Sequence, residues 1–197
     1  RMLLNLQVDF VRSMALFTRI FEYLDRSHEI ENPENPKTPD MTDSSVEFKD
    51  VKFRYEPTKE ILKGINFSVP SGKMYAIVGT SGAGKSTIIG LIPRLYDTVE
   101  GKVLVSGTDV REFDLKYLRT NIGIVTQDTY LFNGTILENL LYAKPEATME
   151  EIIEACKVAN IYDFIDRLPQ KFDTIVGNRG LKLSGGEKQR VSIARVI

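Results

Sequence analysis

The chain is 197 residues long, with 26 Lys+Arg against 27 Asp+Glu and a formal net charge of −1 at pH 7. Hydrophobic residues make up 42% and charged residues 27%, which excludes a disordered chain, and the missing basic surplus excludes a general nucleic-acid binder. The single cysteine, Cys156, excludes an internal disulfide and a Cys-based zinc site, and no stretch reaches the ~18 uncharged apolar residues of a spanning helix.

The chain opens on Leu3, Leu4, Leu6, Phe10, Val11, Met14, Phe17, Ile20, Phe21 and Leu24, spaced by threes and fours. This predicts an amphipathic helix over residues 1–28 with Asp9, Arg12, Arg19, Glu22 and Asp25 on its other face. Those charges also break any secretory signal. Two readings of the helix stand side by side: it packs on the domain that follows, or it is the end of a larger element. Glu31–Ser45 carries Pro33, Pro36 and Pro39 among polar residues and reads as an extended linker, residues 29–45, with a boundary near residue 44.

Residues 46–197 then read as one α/β domain. Val46–Phe48 and Val51–Tyr55 alternate with a change of phase at Lys49–Asp50, the mark of a bulged strand. Ile65, Phe67 and Val69 predict a second strand, and Val103 and Val105 a third. Lys73–Val78 and Ile122–Val125 are nearly continuous apolar runs and predict buried central strands. A helix is predicted from Lys85 to about Leu95, and helical periodicity fills Thr135–Leu168 within a helical subdomain of about 128–190. Cys156 falls on its apolar face and reads as a small core residue. His28, the only histidine, reads as a surface residue.

Two stretches carry chemistry. Gly79-Thr80-Ser81-Gly82-Ala83-Gly84-Lys85-Ser86-Thr87 fits the phosphate-loop pattern G-x-x-x-x-G-K-[ST] between a predicted strand and a predicted helix. Gly79, Gly82 and Gly84 permit backbone angles and approaches that side chains block, so successive N–H groups point at phosphate oxygens. The helix mouth adds the positive end of its dipole. Lys85 supplies a cation for the β- and γ-phosphates, and the Ser86 hydroxyl is a ligand for Mg²⁺. In Leu183-Ser184-Gly185-Gly186-Glu187-Lys188-Gln189-Arg190, Ser184 and Glu187 form a capping box at the start of a helix. Two consecutive glycines in its first turn weaken that helix, which makes sense where backbone N–H groups must meet a ligand. One nucleotide rarely needs both helix mouths from one chain.

Together these stretches resemble the Walker A and signature motifs of ABC transporter ATPases. Tyr55 in VKFRY stands where that family has the aromatic residue that stacks on adenine, and Gln127 in VTQD stands as its Q-loop glutamine. DLKYLR (114–119), LFNGTILEN (131–139) and TIVGNRG (174–180) resemble exporter-type domains, with Asn178 where the family usually has Glu. The opening segment resembles the cytoplasmic end of the last transmembrane helix of a fused exporter.

The resemblance implies a phosphate-loop NTPase core with an antiparallel β subdomain and a helical subdomain. It implies ATP and Mg²⁺ as cofactors, Lys85 and Gln127 in catalysis, and Ser86 and Gln127 at the metal. Residues 79–87 and Tyr55 would bind the chain's own ATP. Ser184, Gly185, Gly186 and Glu187 would close on the ATP of a second ABC ATPase subunit, in a homo- or heterodimer. A membrane-spanning domain of the same transporter would be the other partner, placing residues 46–197 at the cytoplasmic face of the cell membrane. A soluble ABC-type ATPase without a membrane domain, an unrelated phosphate-loop kinase or GTPase, and a truncated nucleotide-sensing module are the alternatives. The family's catalytic Asp/Glu strand and switch histidine follow the signature helix and are not among these residues, so an unpaired edge is expected beside Lys73–Val78. A polypeptide of these 197 residues is therefore expected to bind nucleotide at best. Steady-state phosphate release checks this, and turnover at the rate of an intact transporter would contradict it.

Overall fold

The computed structural model describes residues 2–26, 30–177, 180 and 182–197, with side chains in the first helix described from Phe10 onward. His28, Asn178 and Arg179 lie outside the described residues. The chain divides into two units, Arg1–Leu118 and Arg119–Ile197.

In the first unit, helix α1 (Met2–Leu24) has every described side chain exposed, among them Phe10, Phe17, Ile20 and Phe21. From Phe10 onward, then, its described side chains do not pack on the domain that follows, against the first of the two readings. Strands β1 (Val46–Glu56), β2 (Lys59–Val69), β3 (Glu100–Val105) and β4 (Thr108–Asp109) form an antiparallel sheet in the order β2-β1-β3-β4. The phase change in β1 is a bulge: Phe48 faces Phe67 and Val51 faces Ile65, so β1 spends one residue more than its partner. Asp50 sits there with φ 49°, and its backbone N–H donates to the Asn66 side chain at 2.9 Å. Gly101 crosses this bulge with φ 81°, and a Cβ on it would lie 2.3 Å from the Asp50 carbonyl oxygen, so only glycine fits. Phe48, Val51, Phe53, Leu62, Val103 and Val105 form the buried face.

Strand β2 starts earlier than the alternation predicts. A two-residue turn at Pro57–Thr58 pairs Glu56 with Lys59. The adjacent Ile61 and Leu62 break the period-two pattern that would have revealed it. Helix α2 (Lys85–Leu91) is shorter than predicted. Pro93 has no N–H for the helical ladder, and Arg94 turns left-handed at φ 53°. The Leu95 N–H then donates to the Gly90 carbonyl and the Arg94 N–H to that of Leu91, a Schellman ending with arginine in place of the usual glycine.

The linker is irregular, as its prolines require, and it is tied down. Lys37 and Phe113 form a bridge, the Tyr117 hydroxyl donates to the Pro39 carbonyl at 2.9 Å, and Asn32 accepts from the Leu115 N–H at the start of α3 (Leu115–Thr120). Lys73–Val78 is not a buried strand. It has no regular structure and no ladder partner among the described residues, and Met74 and Val78 are 98% and 88% exposed. Apolar character alone does not bury a strand, which needs neighbours for its N–H and C=O groups.

In the second unit the same physics overturns the strand predicted over Ile122–Val125, which is irregular and half exposed. Helices α4 (Ile136–Leu141), α5 (Met149–Val158), α6 (Tyr162–Arg167) and α7 (Gly185–Val196) pack around Leu131, Ile136, Ile161, Ile165, Val176 and Val191. Capping boxes at Thr135–Glu138 and Thr148–Glu151 start α4 and α5. Asn160, at φ 59°, ends α5 in the same Schellman geometry as Arg94. Cys156 is fully buried in this core, and burial pushes its thiol up to about 11. It is a packing residue.

Candidate nucleotide-binding site

The loop from Gly79 to Gly84 is exposed up to Ala83 and anchored at its far end. Gly82 and Gly84 adopt φ of 80° and 88°, where an L side chain is strained. Gly84 is also sterically required, since a Cβ there would meet the buried Leu62 at 2.8 Å and Ile61 at 3.2 Å. The loop is thus seated on β2 at the point where α2 begins. Gly79 is different: a Cβ on it would lie 3.4 Å from Ala83, an ordinary contact, so its own chain does not demand glycine there.

Lys85 curls back over the loop. Its ammonium donates to the carbonyls of Gly79 and Thr80 at 2.9 and 2.7 Å. The peptides are trans, so the N–H groups that follow those carbonyls point away from the cation. Ser86 is exposed in the first turn of α2, and Thr87 beside it is buried. The Thr87 hydroxyl lies 3.0 Å from the Tyr55 hydroxyl at the end of β1. The structure therefore brings Tyr55 against Thr87, the last residue of the phosphate-loop motif. A mobile cation, a loop of accessible amides, an exposed hydroxyl and a half-exposed aromatic ring suit a nucleotide triphosphate.

In the second unit, Gln127 is exposed in a turn closed by the Thr126 hydroxyl donating to the Asp128 carbonyl at 2.9 Å. It does not follow a buried strand, because 122–125 forms no ladder among the described residues. The backbone at Gly123 instead presses on α7, where a Cβ would fall 1.9 Å from Val196. Ser184 caps α7: its hydroxyl accepts from the Glu187 N–H at 3.4 Å, and the Glu187 carboxylate accepts from the Ser184 N–H at 2.7 Å. Gly185 and Gly186 are exposed and helical. A Cβ on Gly185 would meet nothing within 4 Å, and one on Gly186 only the Arg190 side chain at 3.5 Å. Among the described residues nothing requires glycine at either position.

Two groups escaped the sequence analysis. Asn139, 1% exposed, accepts from the Phe132 N–H and from the Arg195 guanidinium, and donates to the Phe132 and Thr135 carbonyls. Burial lowers the pKa of Arg195, whose guanidinium also donates to the Tyr130 carbonyl. This network fixes the LFNGT turn, and its signal was an asparagine among the apolar residues of α4. The other is Tyr96, in edge-to-face contact with Tyr55. Its signal was an aromatic residue three positions after a helix-ending proline.

The ABC transporter family profile matches residues 62–197. The chain belongs to the ABC transporter family. It is 47% identical, over its whole length, to YgaD of Bacillus subtilis (strain 168), by name a multidrug export ATP-binding/permease protein, and covers 34% of that protein. It is 45% identical over 96% of its length to ABC transporter B family member 2 of Dictyostelium discoideum, covering 14% of it. A solved bacterial Atm1-family ABC exporter with ATP bound superposes with a TM-score of 0.90 at 46% identity, over 94% of this chain and 32% of that one. The chain thus spans about a third or less of the length of these relatives. Its fold is the α/β phosphate-loop NTPase fold, with an N-terminal helix, an antiparallel β subdomain and a helical subdomain following it, and it is an ATP-binding domain of the ABC exporter kind.

The two positive-φ glycines of the loop should respond unequally to alanine. Gly82→Ala carries only backbone strain, about 1–2 kcal/mol, because its Cβ meets open space. Gly84→Ala adds a collision with buried Leu62 and should lower the urea unfolding midpoint further. Equal midpoints would show that the loop is not seated on β2.

Proposed function

We propose that this domain binds ATP with Mg²⁺ and drives export across a membrane by closing, head to tail, on a second ABC ATPase subunit. The domain is residues 46–197, with the helical subdomain at about 128–190. The linker, 29–45, and the helix, 1–28, join it to a membrane-spanning domain, so that it works at the cytoplasmic face of the cell membrane. The observation that carries the reading is the glycine pair at 185–186: exposed, helical and not required by any contact among the described residues, it fits a surface kept bare for a partner's nucleotide.

In this reading Tyr55 takes the adenine on its open face. The amides of residues 79–87 take the phosphates, and Lys85 exchanges its two carbonyl contacts for phosphate oxygens. That exchange replaces neutral acceptors with anionic ones, a stronger class of hydrogen bond. Ser86 and Gln127 offer the oxygen ligands that Mg²⁺ prefers, and the ion would neutralise charge between the phosphates. Ser184, Gly185, Gly186 and Glu187 face the γ-phosphate held by the other subunit. Closure follows because the triphosphate binds the closed pair more tightly than the open one.

Ser184→Ala, in the full-length protein, should weaken ATP-dependent dimerisation while nucleotide binding by the monomer stays unchanged. Lys85→Ala should abolish both. Sedimentation with and without ATP, alongside titration of a fluorescent nucleotide, separates the two effects. Equal loss of both in Ser184→Ala would contradict the trans arrangement.

A further inference from the structure

The base platform is not a lone tyrosine. Tyr55 is the last residue but one of β1, with its side chain about half exposed, where an unsupported ring would sample several rotamers and lose entropy on ordering. Three contacts restrict it. Phe53, buried, meets it edge-to-face at 4.8 Å and 88°. Tyr96 meets it at 5.1 Å and 86°, close to the perpendicular geometry that ring quadrupoles favour. The Thr87 hydroxyl holds its phenol at 3.0 Å.

Tyr96 is itself held firmly. Pro93 ends α2, Arg94 takes the left-handed turn, and the buried Arg94 guanidinium grips the Asp97 carboxylate through two bonds at 2.7 and 3.0 Å. That ion pair flanks Tyr96 in sequence and closes the turn that presents it. The Tyr96 ring rests against Gly90 of α2, with 3.6 Å to the position of a Cβ there. It also meets Phe53 at 5.6 Å. Helix end, ion pair and ring together bring an aromatic group from outside the phosphate loop against Tyr55.

We propose that Tyr96 is a positioning residue for nucleobase recognition, fixing the plane of Tyr55 on which the base stacks while Thr87 ties that plane to the phosphate helix. This rests on the reading of Tyr55 as the base platform. A positioning residue of this kind acts on ligands that carry a base and leaves the phosphate contacts alone.

The test compares ATP with inorganic tripolyphosphate, both with Mg²⁺, on the full-length protein. Tyr96→Leu should weaken ATP roughly twofold to tenfold, the worth of an edge-to-face pair, and leave tripolyphosphate unchanged. Tyr96→Phe, which keeps the ring, should bind both as wild type does. Combined with Tyr55→Leu, the Tyr96→Leu change should add nothing further. If Tyr96→Leu matches wild type while Tyr55→Leu weakens ATP alone, positioning by Tyr96 is overturned and the base platform stands. If Tyr55→Leu leaves ATP affinity unchanged, the platform reading fails and the proposal fails with it. Equal weakening of both ligands by Tyr96→Leu would reveal a general structural role and overturn the proposal.

Discussion

The clasp of the Lys85 ammonium on the carbonyls of Gly79 and Thr80 is the interaction around which the candidate site is organised. It folds six residues of backbone onto one cation and keeps the loop curved without a side-chain core of its own. The curve needs φ values that only glycine takes at no cost, at Gly82 and Gly84, and a seat, which Leu62 and Ile61 supply under Gly84. Charge, conformation and packing therefore agree at one point of the chain. A cation already resting on weak neutral acceptors is poised to move to strong anionic ones.

The clasp also ties the antiparallel sheet to the loop's task. The loop runs into α2, α2 carries Thr87, and Thr87 reaches the Tyr55 hydroxyl on β1. The bulge at Asp50, crossed by Gly101, shifts the register of β1 against β3 by one residue along the way. The helix-ending turn at Arg94 returns the chain to the same aromatic group. The second helix mouth is built on the opposite logic: the Ser184–Glu187 capping box supports two glycines that each lower helix stability by up to about 1 kcal/mol and that no contact among the described residues requires. Stability is given up there for a bare surface.

Much of this was legible in the sequence because it is written in local rules. The bulge showed as a phase change, the cap of α7 as Ser184 followed three residues later by Glu187, and the loop as a spaced glycine pattern before Lys85. Cys156 showed its core role by its place in a helical stripe. What failed was non-local. Lys73–Val78 and Ile122–Val125 have the composition of buried strands, but a strand is made by its neighbours, and among the described residues these stretches have none. The turn at Pro57–Thr58 was hidden by two adjacent apolar residues, and α2 ran too long because the periodicity outlasted Pro93. The support of Tyr55 by Tyr96 brings together residues 41 positions apart, which no local pattern records.

The most direct test is a structure of the full-length protein with a non-hydrolysable ATP analogue and Mg²⁺. The account requires each triphosphate to lie within hydrogen-bond distance of the Gly82–Ser86 amides of one subunit and of the Ser184 hydroxyl of the other. A triphosphate bound away from the loop, or one met by the loop and Ser184 of the same chain, would contradict it.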